Sequence, residues 1–374
     1  MENNQLKYHD LIKQMTLEEK TSLLSGQNFW NTKPVNRLGI PSIMLTDGPH
    51  GLRKQGGKAD HLGLNKSIPA TCFPTASALA NSWDADLLEY VGACLGEEAA
   101  AEGVSVLLGP GLNVKRNPLC GRNFEYFSED PFLSGKLAAA MIRGIQSRGV
   151  SACPKHFAVN SQETRRMVID EVVDERALRE IYLEGFRYAV LEGKPMTLMS
   201  SYNRVNGVYA NENEHLLQDT LYGEWKFDGV VVTDWGGEND RTAGLAAGNQ
   251  LEMPFSGGET DREVLEAVRA GKLSEALLDE RIDSLLRLIF QTKREAQAPK
   301  PKLKQEHHEA AREAARRSAV LVKNENGLLP LAAHTRVAVI GDFAKTPRYQ
   351  GAGSSLIVPT QLDGALDVLM QTEL

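Results

Sequence analysis

Short runs of apolar residues without polar alternation recur along the chain, and each run ends at a polar residue, a glycine or a proline. The clearest is the Val-Val-Val run at residues 230–232, which leads into Thr233, Asp234 and, after Trp235, two glycines. A strand with no polar face is buried on both sides, as in a parallel sheet covered by helices. Comparable runs occupy residues 43–47, 104–108, 150–159, 197–202 and 251–254.

Helical patterns alternate with these strands. Residues 84–102, 135–145 and 174–192 carry apolar positions at helical spacing, and Thr16 and Glu19 form a capping box at the start of an earlier helix. The order strand, polar end, helix extends over roughly 300 residues, and no Gly-rich dinucleotide fingerprint follows the first strand. The pattern therefore predicts an α/β protein built on a TIM-like (β/α)8 barrel.

Composition excludes several classes of function. The 374 residues carry a net charge of −7, with acidic and basic residues mixed throughout, so no basic stripe offers itself to nucleic acid or to an anionic membrane surface. Residues 1–5 are polar and no segment is long and apolar enough to span a membrane, which predicts a cytoplasmic location. The four cysteines are too widely spaced for a metal site, and we expect reduced packing residues.

Polar residues follow or interrupt the predicted strands. They are Asp47, Lys155, His156, Tyr202 and Asp234. Taken alone, Asp234 is more simply a helix cap. A lysine in an apolar strand is rarely buried without a partner, so we expect Lys155 to face a cavity or a carboxylate. The carboxyl ends of barrel strands meet at one edge, where such side chains suit a polyhydroxylated ligand.

A long segment without periodicity lies at residues 113–131, where Arg116, Arg122, Glu125 and Glu129 stand among Asn, Gly and aromatic residues. So long a loop is uncommon unless it contributes to a site. The alternative is a solvated loop with surface ion pairs. The composition of this segment does not decide between a contribution to a site and a solvated loop.

Seven segments together resemble family 3 glycoside hydrolases of the β-glucosidase branch. Single motifs of this kind are weak, whereas an ordered set over most of the chain is specific. The segments are MTLEEK (15–20), RLGIPSIMLTDGPHGLR (37–53), GRNFEYFSEDP (121–131), CPKHFAVNSQE (153–163), MSSYNRVNG (199–207), GVVVTDWGG (229–237) and AREAARRSAVLVKNENGLLPL (311–331).

The resemblance implies a role for each matching residue. Asp234 matches the catalytic nucleophile of a retaining glycosidase, which attacks the anomeric carbon as an ionised carboxylate. Trp235 matches a residue that lines the cleavage subsite. The residues that match sugar-holding positions are Asp47, Arg122, Lys155, His156 and Tyr202. No cofactor or metal is implied, and the histidines show no metal-binding spacing; His307 and His308 are expected on a solvated helix face.

The sequence departs from the family pattern after the barrel. Residues 1–300 are predicted to form the barrel, 301–335 a connecting helix and linker, and 336–374 an incomplete start of the α/β sandwich domain that supplies the acid/base glutamate in two-domain members. Residues 336–374 are too few to bury a core alone. Their GAGSS segment (351–355) resembles one that can reach the sugar through Ser354; a phosphate-cradling loop is the less favoured alternative because it lacks a lysine.

Single-barrel β-N-acetylhexosaminidases of this family use a loop histidine as the acid, and residues 155–163 lack it. We therefore expect a retaining β-glycosidase, most simply a β-glucosidase acting on β-linked glucosides or oligosaccharides. Its acid/base carboxyl would come from a partner chain or a missing C-terminal domain. The alternatives are a weak or inactive sugar-binding fragment and a barrel hydrolase of another family.

Overall fold

The computed structural model describes residues 6–57, 65–297 and 301–372. The polar start at residues 1–5 lies outside the described residues. The α-helices are α1 (His9–Ile12), α2 (Leu17–Leu23), α3 (Ala76–Leu79), α4 (Ala85–Ala101), α5 (Pro131–Gln146), α6 (Glu175–Ala177), α7 (Glu184–Gly193), α8 (Arg241–Ala247), α9 (Glu259–Arg269), α10 (Glu275–Thr292), α11 (Pro301–Arg317) and α12 (Ala365–Leu369). π-Helical stretches occupy Leu178–Tyr182 and His215–Glu224.

The strands are short. They are β1 (Leu45–Asp47), β2 (Pro69–Ala70), β3 (Val106–Leu108), β4 (Ser151–Ala152), β5 (Asp170–Glu171), β6 (Thr197–Met199), β7 (Arg204–Val205), β8 (Val208–Tyr209), β9 (Val230–Val232) and β10 (Val358–Pro359). The predicted strands at residues 43–47, 104–108, 150–159, 197–202 and 230–232 each contain one of them. The predicted strand at 251–254 is reduced to bridges at Leu251 and Glu252.

The strands form a closed ring. β1, β3 and β4 pair in parallel, as do β6 and β9. Parallel bridges join Phe157 to Ser200, Val232 to Leu251 and Ser25 to Glu252. Antiparallel bridges then join Gly26 to Thr32 and Asn31 to Met44, which leads back into β1.

The ring agrees with the predicted TIM-like barrel in its closure and in its parallel strands. It differs at residues 31–32, which run antiparallel to both neighbours, so the repeat of eight parallel strands is not uniform. The sequence offered no signal there, because each bridge involves too few residues to leave a hydrophobic period.

Alternate residues of each strand enter different cores, which explains the missing polar alternation. Val230 and Val232 belong to one apolar cluster and Val231 to the other, and each is at most 1 % exposed. The same division separates Leu107 from Val106 and Leu108. Side chains on a strand point to opposite faces, so both faces of the sheet are buried.

Helices pack closely on this sheet. α4 begins after Asp84, whose carboxylate accepts from the Leu87 N–H at 2.9 Å, and the predicted capping box of Thr16 and Glu19 is present at α2. α4 and α5 touch at glycines: a Cβ at Gly92 would lie 2.4 Å from the Met141 carbonyl oxygen. This close contact leaves no space for a side chain there.

The C-terminal residues are arranged differently. Among the described residues of 318–357 there are 3₁₀ turns and no strands, and apolar side chains such as Val322 and Ile340 are 90 % exposed. The second domain therefore stays a prediction. β10 nevertheless pairs in parallel with β2 at the barrel. No described helix is both long and apolar enough to cross a bilayer.

The prediction of a solvated face at His307 and His308 is wrong, since both are buried. His307 Nδ1 lies 2.9 Å from Glu98 Oε1 on α4, and His308 Nε2 lies 3.3 Å from Asp363 Oδ2. The charged appearance of α11 concealed the apolar contacts of Ala310 and Ala314 with the core. Histidines on that side of the helix therefore face the barrel.

Candidate active site

A pocket of about 380 Å³ opens where the ring strands end. All seven residues predicted from the sequence line it: Asp47, Arg122, Lys155, His156, Tyr202, Asp234 and Trp235. Residues that the sequence did not single out complete the lining, including Trp30, Phe124, Glu163, Arg166 and Met199. Binding sites of barrel enzymes lie at this end of the strands.

A larger cavity of about 530 Å³ lies at the opposite end of the ring, lined by residues that precede β6 and β9, such as Pro195 and Asp228. In barrels this end serves stability rather than chemistry. Size therefore does not identify the site, whereas the convergence of charged side chains does.

Asp234 follows β9 with its two carboxylate oxygens in different surroundings. Oδ1 accepts a hydrogen bond from the Trp235 N–H at 2.8 Å, and Oδ2 lies 3.6 Å from His156 Nε2. The next helix, α8, is capped by Asp240 instead. The helix-cap interpretation of Asp234 is therefore wrong, and Oδ2 makes no hydrogen bond that would tie it to the backbone.

Asp47 ends β1 between two buried cations. Lys155 Nζ lies 3.2 Å from Asp47 Oδ1, and Arg53 Nη1 lies 3.4 Å from Oδ2. Lys155 was expected to face a cavity or a carboxylate because it lies in an apolar strand, and Asp47 is that carboxylate. Charged, fixed donors and acceptors of this kind can bind sugar hydroxyls.

His156 is buried and neutral. Burial, followed by the cations Arg122, Lys155 and Arg166, lowers its pKa well below the usual value. Asn160 Nδ2 donates to the Tyr126 hydroxyl at 2.9 Å, and that hydroxyl lies 3.0 Å from His156 Nδ1. The tyrosine oxygen accepts from Asn160 and can donate its own proton to Nδ1, an arrangement that leaves the ring proton of a neutral imidazole on Nε2. The Nε2–H then faces Asp234.

Four residues of the long loop line the pocket, namely Gly121, Arg122, Phe124 and Glu125, while Arg116 is exposed. Arg122 pairs with the carboxylate of Glu125. Burial opposes both charges, but their attraction dominates: the pKa of Arg122 rises well above its usual value and that of Glu125 falls. This part of the loop therefore contributes to the pocket and is not a solvated surface loop. The ion pair with Arg122 keeps Glu125 ionised.

Tyr202 lies between the turn that carries Asp234 and a second ion pair. Its hydroxyl donates to the Trp235 carbonyl oxygen at 2.8 Å, and burial, together with Asp234, raises its pKa above the usual value. The Arg166 guanidinium lies 4.7 Å from the centre of its ring. Arg166 Nη1 pairs with Glu163 Oε2 at 2.9 Å.

Aromatic rings form another wall. The ring centres of Trp235 and Trp30 are 5.4 Å apart, and Trp235 Nε1 donates to the Phe29 carbonyl oxygen at 2.7 Å. Such faces suit the C–H surface of a sugar. Trp30 lies beside an antiparallel bridge, so no strand pattern in the sequence could have placed it here.

Residues 350–359, which we call the strap, close the remaining side. Ala352, Gly353 and Ser354 line the pocket. The Gln350 side chain both donates to the Ile357 carbonyl and accepts from its N–H, each at 2.8 Å, and Ile357 is 1 % exposed. These two hydrogen bonds lie within the strap, and the buried Ile357 side chain, together with the pairing of β10 with β2, attaches it to the barrel.

Within the described ranges 6–57, 65–297 and 301–372, no three His, Cys, Asp or Glu side chains are grouped closely enough to hold a metal ion. The groups available to the site are the Asp234 carboxylate, which has no cationic partner at hydrogen-bond distance among the described residues, a neutral imidazole, a phenol and ion-paired carboxylates.

Comparison with known proteins identifies the family. The model of the glycosyl hydrolase family 3 N-terminal domain matches residues 15–288. Thermostable beta-glucosidase B of Acetivibrio thermocellus is 58 % identical over 353 residues, which cover 94 % of this chain and 47 % of the relative. An exo-alpha-(1->6)-L-arabinopyranosidase of Bifidobacterium longum is 47 % identical over 371 residues, which cover 96 % of this chain and 49 % of the relative.

Among solved structures, beta-glucosidase 3B of Thermotoga neapolitana in complex with alpha-D-glucose superposes with a TM-score of 0.91 at 40 % identity. The match covers 98 % of this chain and 54 % of that one. The chain thus spans about half the length of the curated relatives it matches.

Proposed function

The chain belongs to glycosyl hydrolase family 3, and from that premise we propose that it is the nucleophile-bearing part of a retaining β-glycosidase acting on terminal β-linked glucosides. The observation that carries the proposal is the setting of Asp234. One of its oxygens is fixed by a backbone N–H, and the other lies 3.6 Å from the His156 imidazole in a pocket lined by the predicted sugar-holding residues. Family membership sets aside a barrel hydrolase of another family.

In the proposed reaction, Asp234 Oδ2 attacks the anomeric carbon as the leaving oxygen departs, and a covalent glycosyl-enzyme results. Water then attacks the same carbon and releases the sugar with its original configuration. The Asp47–Lys155 pair and Arg122 hold hydroxyl groups. The His156 Nε2–H can hydrogen-bond a sugar hydroxyl beside Asp234, while the Tyr202 hydroxyl, kept protonated by its surroundings, holds the Trp235 carbonyl next to the nucleophile.

The leaving oxygen needs a proton, and no carboxyl group among the described pocket residues is well suited to supply it. Asp47 is paired with Lys155, Glu125 with Arg122 and Glu163 with Arg166, and an ion-paired carboxylate is a poor proton donor. We propose that the acid/base carboxyl lies outside these 374 residues, in a further domain or a partner chain.

Product stereochemistry tests this proposal. Dinitrophenyl β-D-glucoside has a leaving group that departs without protonation, so the chain should release β-glucose first, as followed by proton NMR before mutarotation. Asp234→Ala should abolish release, and azide should restore reaction with α-glucosyl azide as product. α-Glucose as the first product, or an Asp234→Ala protein as active as the wild type, would overturn the assignment.

A second candidate is a sugar-binding fragment with little turnover, favoured by the ion pairing of the other carboxylates. It predicts that isothermal calorimetry detects glucose binding while dinitrophenyl glucoside is not cleaved. Cleavage of that substrate by the wild type, lost in Asp234→Ala, would exclude it.

A further inference from the structure

Three buried polar side chains lie beneath the turn that carries Asp234. Ser200, Asn211 and Asn249 are each 0 % exposed, and they come from three segments of the chain: the residue after β6, the 3₁₀ turn Ala210–Glu212 and the approach to Leu251. Buried amides and hydroxyls destabilise a fold unless they are hydrogen-bonded. Their partners therefore indicate what they hold in place.

Asn211 is the centre of this group. Its Oδ1 accepts from the Ser200 hydroxyl and from Asn249 Nδ2, the latter at 3.2 Å. Its Nδ2 donates to the Gly237 carbonyl oxygen at 2.6 Å. A flipped amide would set Nδ2 against the Asn249 donor and Oδ1 against a carbonyl oxygen. Its two neighbours thus fix the direction in which Asn211 donates.

Gly237 transmits that constraint to the nucleophile. Its N–H donates to the Asp234 carbonyl oxygen at 2.9 Å, which closes the turn. A Cβ placed on Gly237 would lie 3.0 Å from the Tyr202 ring and 3.1 Å from the same Asp234 oxygen. Gly237 is therefore packed between both functional residues, and a shift of its peptide group would move them.

We propose that Asn211 is a positioning residue for catalysis, which fixes the Asp234–Gly237 turn so that Asp234 and Tyr202 face the anomeric carbon. The inference rests on the proposed function, because it assumes that Asp234 is the nucleophile. Asn239 Nδ2 also donates to the Gly237 carbonyl, at 3.0 Å, but Asn239 is exposed. An exposed side chain is free to change its rotamer, so Asn239 cannot fix the turn as the buried Asn211 amide does.

The test is the rate at which a dinitrophenyl 2-deoxy-2-fluoro-glucoside labels the full chain, followed by intact mass. Asn211→Asp keeps the shape and the acceptor oxygen but removes the donor to Gly237. The maximal labelling rate should fall about 10- to 100-fold, the effect expected of a nucleophile displaced by a fraction of an ångström to 1 Å. The half-saturating concentration should stay within about threefold, since the hydroxyl-binding residues are untouched.

Asn239→Ala is the matched control, because it removes the other donor to the same carbonyl, and it should label at the wild-type rate. A purely structural role for Asn211 would lower the melting temperature and the labelled fraction while the rate constant of the folded fraction stayed unchanged. That result would overturn the proposal.

If Asn211→Asp fails to fold, Ser200→Ala provides the test instead, because it removes one of the two donors that orient the Asn211 amide. It should slow labelling about threefold or more, and wild-type kinetics would contradict the proposal. A wild type that never labels would instead contradict the nucleophile assignment. The two failures are therefore distinguishable.

Discussion

Asp47 combines a structural ion-pair role with the sugar-binding role that we propose for it. It lies between Lys155 and Arg53, and its side chain is 9 % exposed. Both cations are almost fully buried. Removing the negative charge would leave them with less compensation, which is costly in a buried site.

We predict that Asp47→Asn lowers the second-order rate of fluoroglucoside labelling about 10- to 100-fold, the equivalent of roughly 1.5–3 kcal/mol for a hydrogen bond to a charged group. The loss should appear mainly in the half-saturating concentration, with a lower melting temperature. Asp10→Asn, at an exposed carboxylate on α1, is the control and should change neither quantity. An unchanged half-saturating concentration in Asp47→Asn would remove Asp47 from the sugar-binding residues.

Several site residues could be predicted from the sequence because each stands at a break in an apolar pattern. Lys155 interrupts an apolar strand and Asp234 follows one. A polar residue in such a position is unusual, so it indicates a functional or ion-paired side chain. Trp30, Glu163 and Arg166 have no such signature, because an aromatic residue near a bridge and charged residues in a polar turn are common on any surface. Only the folded chain brings them to the pocket.

Among the elements, α11 carries a buried ion pair that the sequence did not reveal. Burial opposes the charge on His307, but hydrogen bonds from its ring to Cys94 and Glu98 outweigh it and raise its pKa to about 9. The pKa of Glu98 is lowered, since His307 and Thr71 outweigh its burial. Glu97 Oε2 lies 3.8 Å from His307 Nε2 and favours the charged ring further.

The pair should make stability depend on pH. A raised folded pKa for His307 gives a contribution that is complete below about pH 6.5, its unfolded value, and is lost as pH rises through about 9. His307→Gln should therefore lower the melting temperature by a few degrees at pH 6, and the difference should shrink by pH 10. His215→Gln, at an exposed ion pair with Glu175, should have little effect. A His307 difference independent of pH would contradict the ion pair.

The strap joins the barrel through a single buried apolar side chain, Ile357, and through the β10–β2 pairing. Ile357→Asp would bury a charge and should release the strap, which removes Ser354 and its neighbours from the pocket wall. We expect glucose binding, measured by calorimetry, to weaken about tenfold or more, in keeping with the loss of a few hydrogen bonds. Leu362→Asp, at an exposed position, should leave binding unchanged, and equal binding by both variants would show that the strap is dispensable.

Helices and strands with long apolar patterns could be predicted from the sequence, whereas short paired segments could not. α4 and α5 have enough turns for an apolar stripe to appear, and the strand runs are fully apolar. The antiparallel segment at residues 31–32 and the strap depend on pairings between distant parts of the chain, which leave no local period in the sequence.

At the scale of the whole molecule, the barrel ring is closed whereas the described residues of 318–343 expose apolar side chains such as Leu321, Val322 and Ile340. Exposed apolar runs of this size are typical of surfaces that another part of a protein covers. This agrees with a proton donor located outside the described pocket residues.

The proposed location of the proton donor gives a prediction for the choice of leaving group. Loss of a general acid typically slows reaction about 10²- to 10⁴-fold for poor leaving groups, whereas dinitrophenolate departs unprotonated. The chain should therefore cleave dinitrophenyl β-glucoside far faster than cellobiose, as measured by product release at equal concentrations. Equal rates would mean that an acid is present in the pocket.

We propose that Asp234 carries the sugar as a covalent glycosyl-enzyme during the reaction. The most direct measurement is peptide mapping by mass spectrometry after incubation with a dinitrophenyl 2-deoxy-2-fluoro-glucoside. We expect one labelled peptide with the sugar on Asp234, and no label in Asp234→Asn. A label on another residue, or none under conditions that label a known retaining glycosidase, would contradict it.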